Sequence, residues 1–361
     1  MPTNELVDFH INKETGKILL HGREHGRNKR GDFLAELEAK SSPDQFAMTS
    51  PEWIEFTAYT GYRASQLRSI NGGLGCSYLH VSGDMLNTLT VQMHRGDAPV
   101  QLPLRGEIKS FAVNGQKLFV MGAMTNEPVG LWKYDLVSGE LDQLSSNQRQ
   151  DFQYASSQPA LVSRTKERSL TYYLLRPARL DPKRLPPLVL GIMGIGEKAY
   201  VWDRYAQTIA NCGYYFVTVD RRGRAEHEWG EDARIVHEAL TKAIKFDTNN
   251  TYLLGISVGA PPVNQLLRDN PALWRGAIFL SPGSLPETTC LYTKRLFVDI
   301  GGLDPIWGAN SVRAKEFQDR AARGGADMRL FIRPNVGHNC RLLSVEKERL
   351  HQLAAFLDDA D

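Results

Sequence analysis

The sequence predicts two domains: a doubly wound α/β domain with a parallel sheet, preceded by an all-β domain. Up to about residue 150, short strands alternate with polar turns. After the polar stretch SSNQRQDFQYASSQ, near-continuous apolar strands alternate with segments of helical periodicity, as in sheets covered on both faces. We therefore predict an all-β domain over residues 1–150 and the α/β domain over residues 151–361.

The first domain contains four segments of similar pattern, which begin at Phe9, Phe46, Tyr78 and Phe111. Each is a strand led by an aromatic residue, then a polar turn and a second strand. This repetition is typical of propeller blades, and a generic antiparallel β-domain is the alternative. Closed propellers have more blades, so we expect a partial propeller, an open array, or one completed by another chain. Exposed sheet edges favour association, and we expect a homo-oligomer through this domain.

The second domain shows seven apolar strands: LTYYLLRP, PLVLGIMG, YYFVTVD, TYLLGIS, GAIFLSPG, RLFVDIGG and MRLFIRP. Helical patterns lie between several of them. The segment EDARIVHEALTKAIKF is predicted to be a helix. One apolar face of this helix consists of Ala233, Val236, Leu240 and Ala243. A last helix, SVEKERLHQLAAFL, is predicted to pack through Leu350, Leu353 and Leu357.

Composition excludes several classes of partner. The chain has 43 Lys and Arg against 41 Asp and Glu, a net charge of +2, so neither nucleic acid nor an anionic membrane is an expected partner. No segment has the apolar length of a signal peptide or membrane span. The four cysteines, Cys76, Cys212, Cys290 and Cys340, lack metal-ligand spacing. We expect free thiols in a reducing cytoplasm, and no metal or organic cofactor.

The segment TYLLGISVGAP places Ser257 between two glycines, where a buried strand is followed by a predicted helix. A tight turn explains the glycines alone. A second explanation is a strand-to-helix turn that holds a nucleophilic serine at the carboxyl edge of the sheet. Gly255 and Gly259 would then let neighbouring backbones approach closely, and the N–H of Val258 would point at a developing oxyanion.

Two later loops hold the other residues that such a serine requires. Asp304 follows the strand RLFVDIGG, and His338 follows the strand MRLFIRP. The chain order nucleophile, acid, histidine is the order expected of this architecture. We predict that His338 takes the proton from Ser257 and that Asp304 orients the imidazole. Asp299 is an alternative acid, although it lies within the strand.

With these residues the chain resembles the prolyl oligopeptidase family of serine hydrolases, within the α/β-hydrolase fold. Further segments carry the resemblance: YAQTIANCGYYFVTVDRRGR, WGE from Trp229, GGLDP and VGHN. The resemblance spans nearly the whole chain. It implies hydrolysis of a peptide or ester bond through a serine acyl-enzyme without a cofactor, with an esterase or thioesterase as the alternative to a peptidase.

The loop after the strand PLVLGIMG departs from the family, because Met193 stands where a polar or aromatic residue commonly leads the oxyanion segment. We expect the second oxyanion donor to be the backbone N–H of Gly194 or Ile195, with the Tyr200 hydroxyl as an alternative. An aromatic acyl pocket is a further hypothesis, with ordinary packing as its alternative; its candidates are Tyr200, Trp202, Trp229 and Trp307.

Two other function classes are compatible with parts of the sequence. Gly194, Gly196 and Ala199 match a dinucleotide-binding fingerprint, and Asp220 ends the following strand, which would indicate an oxidoreductase. In the other class, the hydrolase domain is inert and the β-blades bind a partner. A complete set of Ser257, Asp304 and His338 argues against both hypotheses.

Overall fold

The computed structural model divides the chain into two compact units, Met1–Gln150 and Asp151–Asp361. The structure describes residues 3–11, 18–25, 30–39, 46–48, 52–53, 65–70, 75–81, 87–92, 100–124, 127–146, 155, 157–166, 168–194, 204–220, 225–286, 291, 293–307, 312–338 and 343–359.

The described strands of the first unit form two antiparallel sheets. One contains β1 (Thr3–Ile11), β2 (Ile18–His25), β3 (Arg30–Ala39) and β4 (Phe46–Met48) in that order, and β5 (Glu52–Trp53) also pairs with β3. The other is a seven-stranded meander of β6 (Ser65–Ile70), β7 (Gly75–Val81), β8 (Asn87–Gln92), β9 (Val100–Asn114), β10 (Lys117–Met124), β11 (Glu127–Asp135) and β12 (Leu141–Ser146).

Alternating side chains give the seven-stranded sheet a small apolar core. In β9, Leu102 and Leu104 are buried while Gln101 and Pro103 are exposed, the period of two expected of a strand with one covered face. The core residues are Leu89, Val91, Leu102, Leu104, Ile108, Phe111, Leu118, Val120 and Trp132. The turn between β11 and β12 contains Gly139, which has a φ of 74° and donates its N–H to the Asp135 carbonyl at 2.9 Å.

The prediction of about four propeller-blade repeats is not confirmed. Propeller blades are separate four-stranded sheets, whereas the described strands pair into sheets of five and seven. The meander passes without a break from β6 to β12. One of its two edge strands, β12, exposes Leu141 and Leu144. Association of copies through this unit stays a prediction.

The second unit is built on an eight-stranded sheet. Its strands are β13 (Ser157–Ser163), β14 (Ser169–Leu175), β15 (Leu188–Ile192), β16 (Tyr215–Val219), β17 (Thr251–Ile256), β18 (Gly276–Leu280), β19 (Arg295–Gly301) and β20 (Asp327–Arg333). They lie in the order β13-β14-β16-β15-β17-β18-β19-β20. The last six strands of the chain run parallel to one another. Strand β14 is antiparallel to both of its neighbours, β13 and β16. The sequence pattern did not predict β13, an edge strand with Pro159.

Helices cover both faces of this sheet, as the sequence predicts. The described α-helices are α1 (Arg204–Asn211), α2 (Trp229–Ala243), α3 (Ala260–Asp269), α4 (Val312–Arg323) and α5 (Leu343–Asp358). Side chains of α2, α3 and α4 belong to one apolar cluster, and those of α1 and α5 to a second. Ala233, Val236 and Leu240 are buried as predicted, but Ala243 is exposed because the helix ends there. Among these helices, none has the length and apolar character needed to cross a membrane.

The strand order reverses at β15, which has β16 on one side and β17 on the other. At such a reversal the loops that follow the adjacent strands β15 and β17 lead to helices on opposite faces of the sheet and leave a crevice at its carboxyl edge. The turn from β17 to α3 lies at this crevice. It contains Ser257.

The glycines around Ser257 stand where backbones touch. A Cβ added to Gly259 would lie 2.0 Å from the Ile192 carbonyl oxygen at the end of β15, and one added to Gly255 would lie 2.9 Å from Ala260 Cα. Ser257 itself has a φ of 51°, a left-handed conformation that side chains rarely adopt. The chain therefore turns sharply from strand to helix, with Ser257 at the apex.

Gly259→Ala is expected to lower the free energy of unfolding by about 3 kcal/mol, because the new methyl group overlaps a backbone carbonyl. Chemical denaturation of both proteins measures the change. Gly337→Ala is the matched control, since a Cβ there meets nothing within 4 Å, and it should stay within about 0.5 kcal/mol of the wild type. Equal stability of the two variants would contradict the close packing at Gly259.

His237 is a buried histidine on α2, and it faces the apolar core. It is 4% exposed, and its ring lies 4.9 Å from that of Trp274 and 6.0 Å from that of Phe246. Burial lowers its pKa below the usual value. The folded protein thus holds His237 neutral at a pH where the unfolded chain protonates it.

Only the unfolded state binds the extra proton. The free energy of unfolding is therefore unaffected by His237 protonation above pH ~6.5, and it falls as the pH drops from there towards the folded pKa of His237. The free energy of unfolding should decrease by up to about 1.4 kcal/mol per pH unit in this window. His237→Phe should flatten that dependence in denaturation curves recorded from pH 7 to pH 4.5. His351→Gln, at an exposed histidine, should leave it unchanged. An equal slope in His237→Phe and wild type would show that another group is responsible.

Candidate active site

Ser257, His338 and Asp304 form one continuous line of hydrogen bonds. Ser257 Oγ lies 2.8 Å from His338 Nε2, and His338 Nδ1 lies 2.8 Å from Asp304 Oδ2. The three residues follow β17, β20 and β19, so parallel strands deliver them to the same edge of the sheet. The Asp304 side chain is fully buried, and that of His338 is 27% exposed. The arrangement joins a solvent-reachable hydroxyl to a desolvated carboxylate through an imidazole.

Asp304 lies in a tight turn that orients its carboxylate. Its N–H donates to the Gly301 carbonyl at 3.1 Å, and its own carbonyl accepts the N–H of Trp307 at 3.1 Å. Oδ1 accepts the N–H of Ile306 at 3.0 Å, which leaves Oδ2 for His338. With one oxygen held by the turn, the carboxylate has a defined direction towards the imidazole.

The loop that carries His338 is pinned against the Asp304 turn by backbone contacts. The N–H of Gly302 donates to the Arg333 carbonyl at 2.7 Å, and that of Leu303 to the Val336 carbonyl at 2.8 Å. A Cβ added to Gly301 would lie 2.3 Å from the Val336 carbonyl oxygen, so the two backbones meet where only glycine fits. These contacts fix the separation of Asp304 and His338.

Asp299, the alternative acid, has other partners. It is fully buried within β19, accepts hydrogen bonds from Arg333 at 2.7–2.8 Å, and is also bonded by Arg349 of α5. Arg349 in turn bonds the Tyr205 hydroxyl at 3.0 Å. Burial lowers the pKa of Arg349, but its contacts with Tyr205 and Asp299 outweigh this and raise it overall. Both Asp299 oxygens are engaged by arginines, so Asp304 is the carboxylate at His338.

The predicted oxyanion donors lie on adjacent strand ends. Val258 follows Ser257 in the single turn that begins the helix, where N–H groups have no partner within the helix. Gly194 comes two residues after β15, and the close contact of Gly259 with Ile192 brings these two segments together. Ile195, Tyr200 and Trp202 lie outside the described residues, as do Gly196 and Ala199.

The structure places the two described tryptophans of the hypothetical acyl pocket in the core. Trp229 and Trp307 are each 8% exposed and belong to the same apolar cluster. The Trp307 indole donates to the Pro282 carbonyl at 3.0 Å and so anchors the Asp304 turn. Their burial favours ordinary packing, which was the alternative to the pocket hypothesis for both residues.

The sequence pattern did not predict that the loop after β18 supports Ser257. The N–H of Gly283 donates to the Ser257 carbonyl at 2.9 Å, and a Cβ at position 283 would lie 3.2 Å from the same oxygen. The segment FLSPGS contained the signal, because a Ser-Pro-Gly sequence after a buried strand marks a turn. The hydrogen bond between Gly283 and Ser257 cannot be predicted from the sequence alone.

Cys212 directly follows α1. It is a free thiol, and burial raises its pKa to about 12, so it stays protonated and unreactive. Cys290 and Cys340 lie outside the described residues. Within the described part of the chain, no three His, Cys, Asp or Glu side chains are grouped as a metal site would require.

Comparison with known proteins finds likeness in structure alone. No model of a protein family matches the chain, and no similar sequence was found among curated proteins. A puromycin-hydrolysing peptidase of Mycobacterium tuberculosis superposes with a TM-score of 0.72 at 14% identity, over 99% of this chain and 62% of that one. An acylaminoacyl peptidase of Pyrococcus horikoshii gives a TM-score of 0.70 at 15% identity, over 98% and 63%.

A third similar structure, dipeptidyl peptidase 4 of Porphyromonas gingivalis, has a TM-score of 0.66 at 12% identity, over 97% of this chain and 55% of that one. The chain thus spans less than two thirds of the length of these structures. These three structures match 97–99% of the chain, although their sequences are only 12–15% identical to it. The chain has the fold of these peptidases.

Proposed function

We propose that the protein is a serine peptidase of the prolyl oligopeptidase family, which cleaves a peptide bond through an acyl-enzyme at Ser257. The observation that carries this proposal is the hydrogen-bonded line from Ser257 through His338 to Asp304, at 2.8 Å for each step. The fold shared with three peptidases supports it.

In the first half of the reaction, Ser257 Oγ attacks the carbonyl carbon of the substrate. His338 Nε2 accepts the hydroxyl proton as the new C–O bond forms. The Nδ1–H of His338 faces the Asp304 carboxylate, which holds the ring in this tautomer and stabilises the imidazolium. Because Asp304 is desolvated, its charge acts on the imidazolium with little screening by water.

The tetrahedral intermediate places a negative charge on the former carbonyl oxygen. The N–H of Val258, at the start of the helix after Ser257, is the first donor to this oxyanion. The loop after β15 supplies the second, with the backbone of Gly194 or Ile195 as donor and the Tyr200 hydroxyl as the alternative. One such donor is typically worth ~3 kcal/mol of transition-state stabilisation.

In the second half, the C–N bond breaks and the His338 imidazolium gives its proton to the leaving amine. Water then enters, His338 takes a proton from it, and the hydroxide attacks the acyl-enzyme carbonyl. The proton returns to Ser257 Oγ as the acid product departs. The triad is thereby restored.

The comparisons favour a peptide over an ester substrate, because the similar structures are named as peptidases. The esterase and thioesterase alternative has no observation of its own in the structure. An inert hydrolase domain is disfavoured, because random loss of function would not preserve three aligned side chains from three loops. An oxidoreductase is disfavoured because it would leave this alignment without a role.

Ser257→Ala is expected to abolish labelling by a fluorophosphonate probe and to lower kcat/KM on peptide anilides by ~10⁴-fold or more, since the nucleophile is lost. Gel fluorescence and anilide hydrolysis measure the two effects. Ser163→Ala, at an exposed serine of β13, is the control and should behave as wild type.

Two outcomes of this experiment would contradict the proposal. Persistent labelling or turnover in Ser257→Ala would exclude Ser257 as the nucleophile. A wild type that is labelled and hydrolyses p-nitrophenyl esters, but cleaves none of a set of peptide anilides with varied acyl residues, would make the protein an esterase.

Asp304→Asn is expected to lower kcat by about 10⁴-fold while the protein stays folded, because the amide favours the wrong tautomer of His338. Steady-state kinetics and circular dichroism separate the two effects. Asp319→Asn, at an exposed position in α4, provides the comparison. Near-normal kcat in Asp304→Asn would mean that Asp304 does not orient His338.

A further inference from the structure

The loop after β18, residues 281–284, lies between the two turns that carry Ser257 and Asp304, because β18 lies between β17 and β19 in the sheet. We call it the bridging loop. Its first residue donates its N–H to the Asp299 carbonyl of β19 at 2.8 Å, and the hydroxyl of its last residue accepts a hydrogen bond from the Asn264 side chain of α3 at 2.8 Å. The bridging loop is thus bonded to the elements on both sides of it.

Two peptide groups connect the indole of Trp307 to the N–H of Val258. The Trp307 indole donates to the Pro282 carbonyl at 3.0 Å. The N–H of that same peptide group belongs to Gly283, and it donates to the Ser257 carbonyl at 2.9 Å. The peptide group of the Ser257 carbonyl ends in the N–H of Val258. Both peptide bonds are trans, and in a planar trans peptide the C=O and the N–H point in opposite directions, so all the hydrogen bonds run one way.

The Val258 N–H faces away from the bridging loop. A Cβ built at Gly283 would lie 3.2 Å from the Ser257 carbonyl oxygen but 4.0 Å from the Val258 nitrogen, so the oxygen side of this peptide group faces the loop. The Ser257 oxygen also accepts the N–H of Ala260 within the turn that begins α3. That bond is internal to the turn and moves with it, whereas the bond from Gly283 orients the turn relative to the rest of the sheet.

We propose that Trp307 is a positioning residue of the oxyanion site: through the two peptide groups, its indole N–H directs the Val258 N–H at the oxyanion. This inference rests on the proposed function of Ser257 as the nucleophile. Each donor in a chain of hydrogen bonds polarises the next bond, so the indole N–H also strengthens the last donor of the chain. Trp307 is 8% exposed, and desolvation strengthens such bonds further.

The rate at which a fluorophosphonate labels Ser257 measures this effect. Ser257 Oγ attacks phosphorus, fluoride leaves, His338 takes the hydroxyl proton, and the phosphoryl oxygen occupies the oxyanion site. The dependence of the rate on probe concentration separates the maximal labelling rate, kinact, from the concentration that gives half of it, KI. A group that acts on the oxyanion changes kinact, because the negative charge on this oxygen grows in the transition state.

Trp307→Phe removes the indole N–H and should lower kinact about tenfold at unchanged KI, since complete loss of an oxyanion donor typically costs ~10²–10³-fold. The kcat on peptide anilides should fall in parallel. Trp274→Phe is the matched control, because the Trp274 indole also donates to a backbone carbonyl, that of Leu266, at 3.0 Å and belongs to the same apolar cluster. This control loses an equivalent buried hydrogen bond and should keep the wild-type kinact.

Gly283→Ala tests the middle of the chain of bonds, since its methyl group would press on the Ser257 carbonyl oxygen. It should also lower kinact about tenfold at unchanged KI. Because both residues act through the same bonds, Trp307→Phe/Gly283→Ala should lose no more than the more severe single variant. Effects that multiply in the double variant would show that Trp307 does not act through Gly283 and would overturn the inference.

If circular dichroism shows that Trp307→Phe is misfolded, replacement of Trp307 by benzothienylalanine decides, because this residue keeps the shape of indole without its N–H. A wild-type kinact in folded Trp307 variants, or a raised KI at unchanged kinact, overturns the positioning role, and the peptidase proposal survives. An equal loss of kinact in Trp274→Phe overturns it as well. A wild type that the probe does not label at Ser257 overturns both proposals.

Discussion

Backbone crowding at the carboxyl edge of the eight-stranded sheet is the constraint on which the rest of the site depends. An added Cβ would lie 2.0 Å from the Ile192 carbonyl oxygen, at the end of β15, for Gly259 and 2.3 Å from the Val336 carbonyl oxygen for Gly301. These contacts set the distance of Ser257 from the loop after β15, and that of Asp304 from the loop of His338. Ser257, two residues before Gly259, has a left-handed conformation at the apex of the strand-to-helix turn. Precise placement of the reacting groups thus comes from backbone contacts, which side-chain motion does not loosen.

Two carboxylates on the same segment have different roles because their surroundings differ. The carboxylate of Asp299 forms ion pairs with Arg333 and Arg349, which join β19, β20 and α5. Removing one member of such a buried cluster leaves an uncompensated charge and is strongly destabilising. Asp304 faces a single imidazole, and its remaining oxygen is used by a backbone N–H. The first carboxylate holds the fold together, and the second is available for chemistry.

The fold survives wide sequence divergence because it rests on two apolar layers rather than on particular residues. Strands β15 to β19 are buried along their whole length, and helices pack on both faces. Any set of apolar residues with the right volume and periodicity satisfies this requirement. Structural likeness at 14% identity is the expected consequence.

The sequence by itself determined the strands and helices of the second unit, since buried parallel strands and amphipathic helices have strong local patterns. It also predicted Ser257, Asp304 and His338, because their order in the chain and their positions after predicted strands can be read from the sequence. It missed β13, whose short edge segment has a weak pattern, and it did not settle how the strands of the first unit pair. Only the tertiary structure decided between Asp304 and Asp299 as the partner of His338. It also showed that Trp229 and Trp307 are buried and that Gly283 bonds the Ser257 carbonyl. Those outcomes depend on which side chains and backbones meet across long stretches of chain, and no local pattern encodes that.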